Sequence, residues 1–269
     1  MTSSRRQFLQ IASAGAAYAT FDATLGSAAV PTLGMIFPPA NYPVPPEATL
    51  LYPSGVRFLA EGVGLEKMTA EEYDRVFGRI LPAAEKLAKQ GSNAISVMGT
   101  SLTFYKGAEF EHQLKVNVTK ATGLPSTTMS TGIVEGLKAL NARKVAVATA
   151  YDEDVSHRLK VFLEESGFEV VSVKGLGIVS FKDRGPVTPD ELLNFSASVY
   201  EGAPKAEALV ISCGALKTLD LIVPLEQRCK RPVVSSTPHA LWASVRLLGL
   251  SGQAKGYGTV LEKSTLANS

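Results

Sequence analysis

The chain has 269 residues, 45% of them hydrophobic and 19% charged, with 23 glycines and 15 prolines. That composition belongs to a folded globular protein and excludes the disordered, collagenous and coiled-coil classes. Its 27 basic and 25 acidic side chains leave a net charge of only +2 and are scattered, so the footprint of a nucleic-acid binder is absent. The two cysteines, Cys213 and Cys229, form no disulfide framework, and without a histidine cluster they cannot complete a structural zinc site.

Residues 3–9 read Ser-Ser-Arg-Arg-Gln-Phe-Leu and precede the mildly apolar, alanine-rich stretch IASAGAAYA. This pattern predicts a twin-arginine signal over residues 1–29, which sends folded proteins across a bacterial inner membrane to the periplasm. Small residues place cleavage after Ala19, Ala28 or Ala29, with the later pair favoured because the first strand begins soon after. Beyond this segment no apolar run approaches the roughly 20 residues of a membrane-spanning helix. A soluble mature protein without stable membrane association is expected.

From residue 30 the chain alternates between strand and helix patterns. Buried parallel strands are expected at 33–37, 93–98, 144–149, 168–173, 207–212 and 232–235. A long helix is expected to open at Thr69 with Glu72 completing a capping box, bury Tyr73, Val76, Phe77 and Ile80, kink at Pro82 and stop at Gly91. Another opens with Thr188 as N-cap and Pro189 at its first position. Such alternation predicts α/β layers around parallel sheets.

An internal repeat divides the chain. AISVMGTSLTF (94–104) is echoed by ALVISCGALKT (208–218), and PSTTMSTGIVEGLKAL (125–140) by PVVSSTPHALWASVRLL (232–248). Each copy is a strand ending in a small-residue turn at a helix start, followed by a second strand that begins after proline. Two facing copies would direct the carboxyl ends of their strands into one crevice, where open α/β sheets hold ligands. The turn residue is Gly99 in the first copy and Cys213 in the second.

Backbone N–H groups at a strand-to-helix turn bind anions without a cationic side chain. Thr100 and Ser101 add hydroxyls to the Gly99 turn, and Tyr151 adds a phenol from the other half. For an anion that gains charge in the reaction this is an oxyanion hole. Helix capping is the competing role for Thr100 and Ser101. Cys213 ends a buried strand, and there a helix N-terminus lowers a thiol pKa while a bound carboxylate raises it. A proton-transferring thiol is one reading of Cys213, and simple space-filling is the other. Cys229 reads as a packing residue. His112, His157 and His239 share no metal-ligand spacing, and no glycine-rich nucleotide motif occurs, so neither metal nor cofactor is indicated.

MGTSLTFYKG (98–107), TGLPSTTMST (122–131), ATAYDEDV (148–155), LVISCGAL (209–216) and PVVSSTPHALW (232–242) together resemble the arylmalonate decarboxylase family, within the aspartate/glutamate racemase and maleate isomerase superfamily. The resemblance spans about residues 31–258. It implies two pseudo-symmetric Rossmann-like (flavodoxin-like) domains with four-stranded parallel sheets and a cofactor-free active site in the cleft between them. The first domain would comprise 30–140 plus 241–269, and the second 141–240.

Racemases of the superfamily place one cysteine on each side of the substrate. Here the first position is Gly99, so two-base chemistry lacks a partner. The resemblance therefore implies decarboxylation of an α-substituted (aryl or alkenyl) malonate, followed by one-sided protonation from Cys213. Thr100, Ser101, Tyr151 and the backbone N–H groups of Ser101 and Gly214 would hold the surviving carboxylate. Pro39, Leu65, Met68 and Phe181 would surround the leaving one. Lys182, Asp183 and Arg184 depart from that apolar wall, and a charge run of this kind is expected to face solvent.

The expected partner is a small dicarboxylate. Oligomeric state is left open, a monomer being compatible with everything above. The competing functions are an isomerase or racemase of the same superfamily that works with one cysteine, and a periplasmic carboxylate-binding protein.

Overall fold

A computed structural model describes residues 29–180, 182 and 185–263, so residues 1–28 of the twin-arginine segment and Phe181, Asp183 and Arg184 lie outside the described residues. The first half carries β1 (Thr32–Phe37), β2 (Arg57–Gly62), β3 (Ala94–Val97) and β4 (Ser126–Thr128). The second carries β5 (Lys144–Thr149), β6 (Glu169–Gly175), β7 (Ala208–Ser212) and β8 (Val233–Ser235). Every pairing is parallel, and the orders β2-β1-β3-β4 and β6-β5-β7-β8 are the same arrangement twice.

The six strands expected from apolar runs are all present. Two more complete the sheets. β2 (RFLAEG) is an edge strand whose residues are at most half-buried, so its polar ends hide it from a hydrophobic reading. β4 is only Ser-Thr-Thr, placed by the repeat rather than by its own composition.

The helix expected from Thr69 is two helices, α2 (Ala70–Phe77) and α3 (Ile80–Lys89), which follow the short α1 (Pro46–Leu51). No capping box forms. The Thr69 side chain makes no cap bond, and the Glu72 carboxylate accepts from the Glu66 N–H at 3.0 Å and from Arg75. Pro82 kinks nothing, because it falls in the first turn of α3, where a missing N–H removes no helical bond. Thr188 does cap its helix, accepting from the Glu191 N–H at 3.3 Å.

The remaining helices are α4 (Thr100–Phe104), α5 (Ala108–Thr122), α6 (Met129–Ala139), α7 (Glu153–Glu165), α8 (Pro189–Glu201), α9 (Leu219–Cys229), α10 (Ser236–Arg246) and α11 (Thr259–Glu262). None of the described helices is long and apolar enough to cross a membrane.

Two equivalent glycines position the cleft. A Cβ on Gly62, at the end of β2, would lie 2.1 Å from the Pro39 carbonyl oxygen, and one on Gly175, at the end of β6, would lie 2.1 Å from that of Tyr151. Any larger residue would push away the loop crossing it, and those loops carry Pro39 and Tyr151 to the cleft. The halves are tied by α10, which starts at the end of β8 yet packs on α6 of the first half. Gly132 allows that approach, since a Cβ there would meet the Ala240 Cα at 2.7 Å.

Candidate active site

The carboxyl ends of β1, β3, β5 and β7 open on a cavity of about 770 Å³. Of the residues expected there, Gly99, Thr100, Ser101, Tyr151, Cys213 and Gly214 form its polar side, and Pro39, Leu65 and Met68 its apolar side. The structure thus brings together, from both halves, every expected site residue it describes. Phe181 falls outside the described residues. Lys182 borders the cavity and is exposed, as are Lys67 and Glu66.

On the first-half wall, Gly99 is the residue before α4, and Thr100 and Ser101 are its first two residues, 2% and 6% exposed. Neither caps the helix. Backbone N–H groups in a first turn have no helical acceptor and remain available to an anion. The one proton of the Thr100 hydroxyl lies between two acceptors, Ser236 Oγ at 2.8 Å and Met129 Sδ at 2.9 Å.

On the second-half wall, Cys213 follows β7 with a φ of 155°, unusual for a residue with a side chain. Its N–H donates to Ser236 Oγ at 3.1 Å, and its carbonyl accepts from the Leu216 N–H at 3.1 Å. The expected helix N-terminus is not there, because α9 begins only at Leu219. The expected lowering of the thiol pKa is therefore replaced by the opposite effect. Burial pushes the thiol up to about 11, against smaller stabilisation of the thiolate by the backbone at Ala215 and Leu216 and by the Tyr151 hydroxyl.

Tyr151 is 1% exposed, with its hydroxyl 3.4 Å from Ser212 Oγ. Burial, and then the neighbouring Cys213, hold its phenol well above the usual range, so it stays a neutral donor. Every polar group lining the Gly99–Ser101 and Cys213–Gly214 walls is thus uncharged near neutral pH.

Several site residues escape a linear reading. Phe37 and Tyr42 stack with ring centroids 4.6 Å apart and form one aromatic wall of the cavity. Phe37 is hidden in the β1 run, and Tyr42 in a proline-rich loop with no periodicity. Tyr73 matches its expected place on the buried stripe of α2, but its fully buried hydroxyl, which lies near Ser101, has no hydrogen-bond partner within bonding distance among the described residues. Ser236 lies just past the expected strand 232–235, within the repeated segment, and carries no signal of its own.

The histidines stand away from this chemistry. His112 and His157 are exposed, while His239 is fully buried and accepts from the Ser235 N–H through Nδ1 at 2.9 Å. Cys229, at the end of α9, is buried as a packing residue.

Residues 33–261 match a family model described as arylmalonate decarboxylase. The chain belongs to the arylmalonate decarboxylase family. It is 44% identical over 238 residues to arylmalonate decarboxylase of Bordetella bronchiseptica, a match covering 88% of this chain and 99% of that protein. A crystal structure of an arylmalonate decarboxylase mutant in its liganded form, with one glycine changed to cysteine and one cysteine to serine, superposes with a TM-score of 0.82. That match has 44% identity and covers 86% of this chain and 99% of the other. The maleate isomerase Iso from Pseudomonas putida S16, at 21% identity and a TM-score of 0.80 over 87% of this chain and 99% of its own, shares the fold. For a member of the arylmalonate decarboxylase family, the arrangement places one thiol on one wall and neutral donors on the other.

Proposed function

We propose that this protein decarboxylates α-aryl and α-alkenyl malonates, without a cofactor, to a single enantiomer of the 2-substituted carboxylic acid. The observation that carries this reading is the lopsided cleft, with the Cys213 thiol facing neutral donors and no second thiol at Gly99. Family membership supports the same reaction.

One substrate carboxylate rests on the N–H groups of Ser101 and Gly214 and the hydroxyls of Thr100, Ser101 and Tyr151. The other lies against the apolar side chains of Pro39, Leu65 and Met68, which cannot replace its water. Desolvation raises that carboxylate in energy, and cleavage of its bond to the α-carbon relieves the penalty as CO₂ leaves. The bonding electron pair passes into the retained carboxylate, making an enediolate whose added charge falls on the oxyanion hole. Each well-placed donor there is worth roughly 3–4 kcal/mol.

The planar α-carbon then takes the proton of the Cys213 S–H from the one side where a thiol stands, and the resulting thiolate recovers a proton from solvent. A thiol held at about 11 remains protonated at neutral pH, as an acid in waiting must. A racemase needs a second acid on the opposite side, and Gly99 supplies none. Export to the periplasm by the twin-arginine route belongs to the same proposal and rests on residues 3–9.

The test is incubation with 2-methyl-2-phenylmalonate in heavy water. The expected result is CO₂ release, with one deuterium at the α-carbon of a single enantiomer. Cys213→Ser should lower turnover about 10²–10⁴-fold, the usual contribution of a general acid. Recovery of unchanged diacid from the wild type would overturn the reading.

A further inference from the structure

We propose that Ser236 is a positioning residue that aims the Thr100 hydroxyl at the substrate carboxylate and couples it to the turn carrying Cys213. This role presupposes the decarboxylase reading above, although its geometry is independent of it. Ser236 is the first residue of α10 and is 1% exposed. Its Oγ accepts two hydrogen bonds, one from each half of the molecule: the Thr100 hydroxyl at 2.8 Å and the Cys213 N–H at 3.1 Å.

A serine hydroxyl has two acceptor lone pairs and one proton to give. Both lone pairs are occupied here, and among the described residues no acceptor takes the proton. That configuration can reverse without moving a heavy atom. When a carboxylate enters the Gly99–Ser101 turn, it draws the Thr100 proton away from Ser236. Ser236 then turns its own proton onto Thr100 Oγ1 while still accepting from the Cys213 N–H.

The result is one chain of donors running from the Cys213 N–H through Ser236 and Thr100 to the carboxylate oxygen. Each link polarises the next, and the effect is largest in a dry site. As charge grows on that oxygen during loss of CO₂, the chain tightens and the turn bearing the thiol is held in place. Without Ser236, the Thr100 hydroxyl keeps Met129 Sδ, a weak acceptor, and the neighbouring Tyr151 hydroxyl, and the Cys213 N–H is left unpaired in a buried position. The next residue strengthens the junction, since the Thr237 hydroxyl donates to the Gly214 carbonyl at 3.3 Å. The start of α10 thereby holds both walls of the cleft.

The test is a double-mutant cycle between Ser236→Ala and Thr100→Val, read by steady-state kinetics on 2-methyl-2-phenylmalonate. Ser236→Ala is expected to lower kcat about 10–100-fold, less than the roughly 10²–10³-fold of a lost oxyanion donor because Thr100 itself remains, with KM changed less than about threefold. In the Thr100→Val background the same change should cost no more than about twofold, because coupled residues are not additive. Ser236→Thr, which keeps the hydroxyl, should recover most of the lost turnover. An equal loss in both backgrounds, or a loss confined to KM, would overturn the role.

A second measurement needs neither turnover nor a folded Ser236→Ala protein. On titration with 2-phenylpropanoate, the Cys213 amide proton followed by NMR should shift in the wild type and not in Thr100→Val. An equal shift in both proteins, or none in either, overturns the coupling. A wild type that shows this shift but releases no CO₂ refutes the decarboxylase reading and leaves the coupling standing.

Discussion

Pro38 packs on Gly99 so closely that a Cβ at position 99 would lie 2.6 Å from the proline Cγ. The Gly99 backbone is extended, with a φ of −141°, so the constraint is space and not conformation. The wall opposite Cys213 is closed to any side chain unless Pro38 gives way.

Gly99→Ala should therefore destabilise the protein by about 1–3 kcal/mol, the usual cost of overpacking, and lower turnover as the first-half turn shifts. Gly99→Cys should behave similarly alone and regain stability when combined with Pro38→Ala. Urea unfolding of the three variants checks this. Equal stability of Gly99→Cys with and without the proline change would contradict it.

Cys213 titrates in a direction that its neighbours in sequence do not reveal. Because the acid must carry its proton, kcat should stay level through neutral pH and fall as pH rises toward about 11. The same shift affects stability. The folded pKa lies above the unfolded value near 9, so the contribution is complete below pH 9 and lost between pH 9 and about 11. Two pKa units amount to about 3 kcal/mol. Urea midpoints measured across that window should fall less in Cys213→Ser than in the wild type, and parallel curves would be the adverse result.

His239 has the opposite dependence. Burial lowers it from 6.5 to about 4, so the fold holds it neutral, with Nδ1 accepting from the N–H of Ser235 at the start of α10. The unfolded chain takes up a proton first as pH falls, so stability is complete above about pH 6.5 and declines by about 3 kcal/mol toward pH 4. His239→Asn, whose carbonyl can replace the acceptor, should flatten the profile between pH 7 and pH 5. An unaltered slope would show that another group is responsible.

Tyr42 extends the stack begun by Phe37 along the cavity wall. An aryl substituent gains about 0.5–1.5 kcal/mol from such a contact, which an alkenyl group of similar length does not share. Tyr42→Ala should therefore raise KM for 2-methyl-2-phenylmalonate by several-fold more than for 2-methyl-2-vinylmalonate, with kcat little affected. Equal increases for the two substrates would mean that the wall merely fills space.

Short-range pattern was enough for the six strands with apolar runs, β6 included although it is a half-exposed edge strand, for Thr188 as a cap, and for the unequal pair Gly99 and Cys213 at equivalent turns. The same local reasoning joined α2 to α3, since a capping box and a continuous apolar stripe look alike whether Glu72 reaches Thr69 or turns to Glu66 and Arg75. It passed over β2 because an edge strand need not be apolar.

The repeated α/β units and the chemistry available at their turns are readable from short stretches of chain, because strand burial and turn composition are properties of neighbouring residues. What that chemistry does depends on the folded arrangement. Cys213 becomes a high-pKa acid through burial, and Thr100 meets Ser236 across 136 residues. Desolvation and long-range hydrogen bonds depend on what the other half of the molecule brings against a residue, and no local pattern records that.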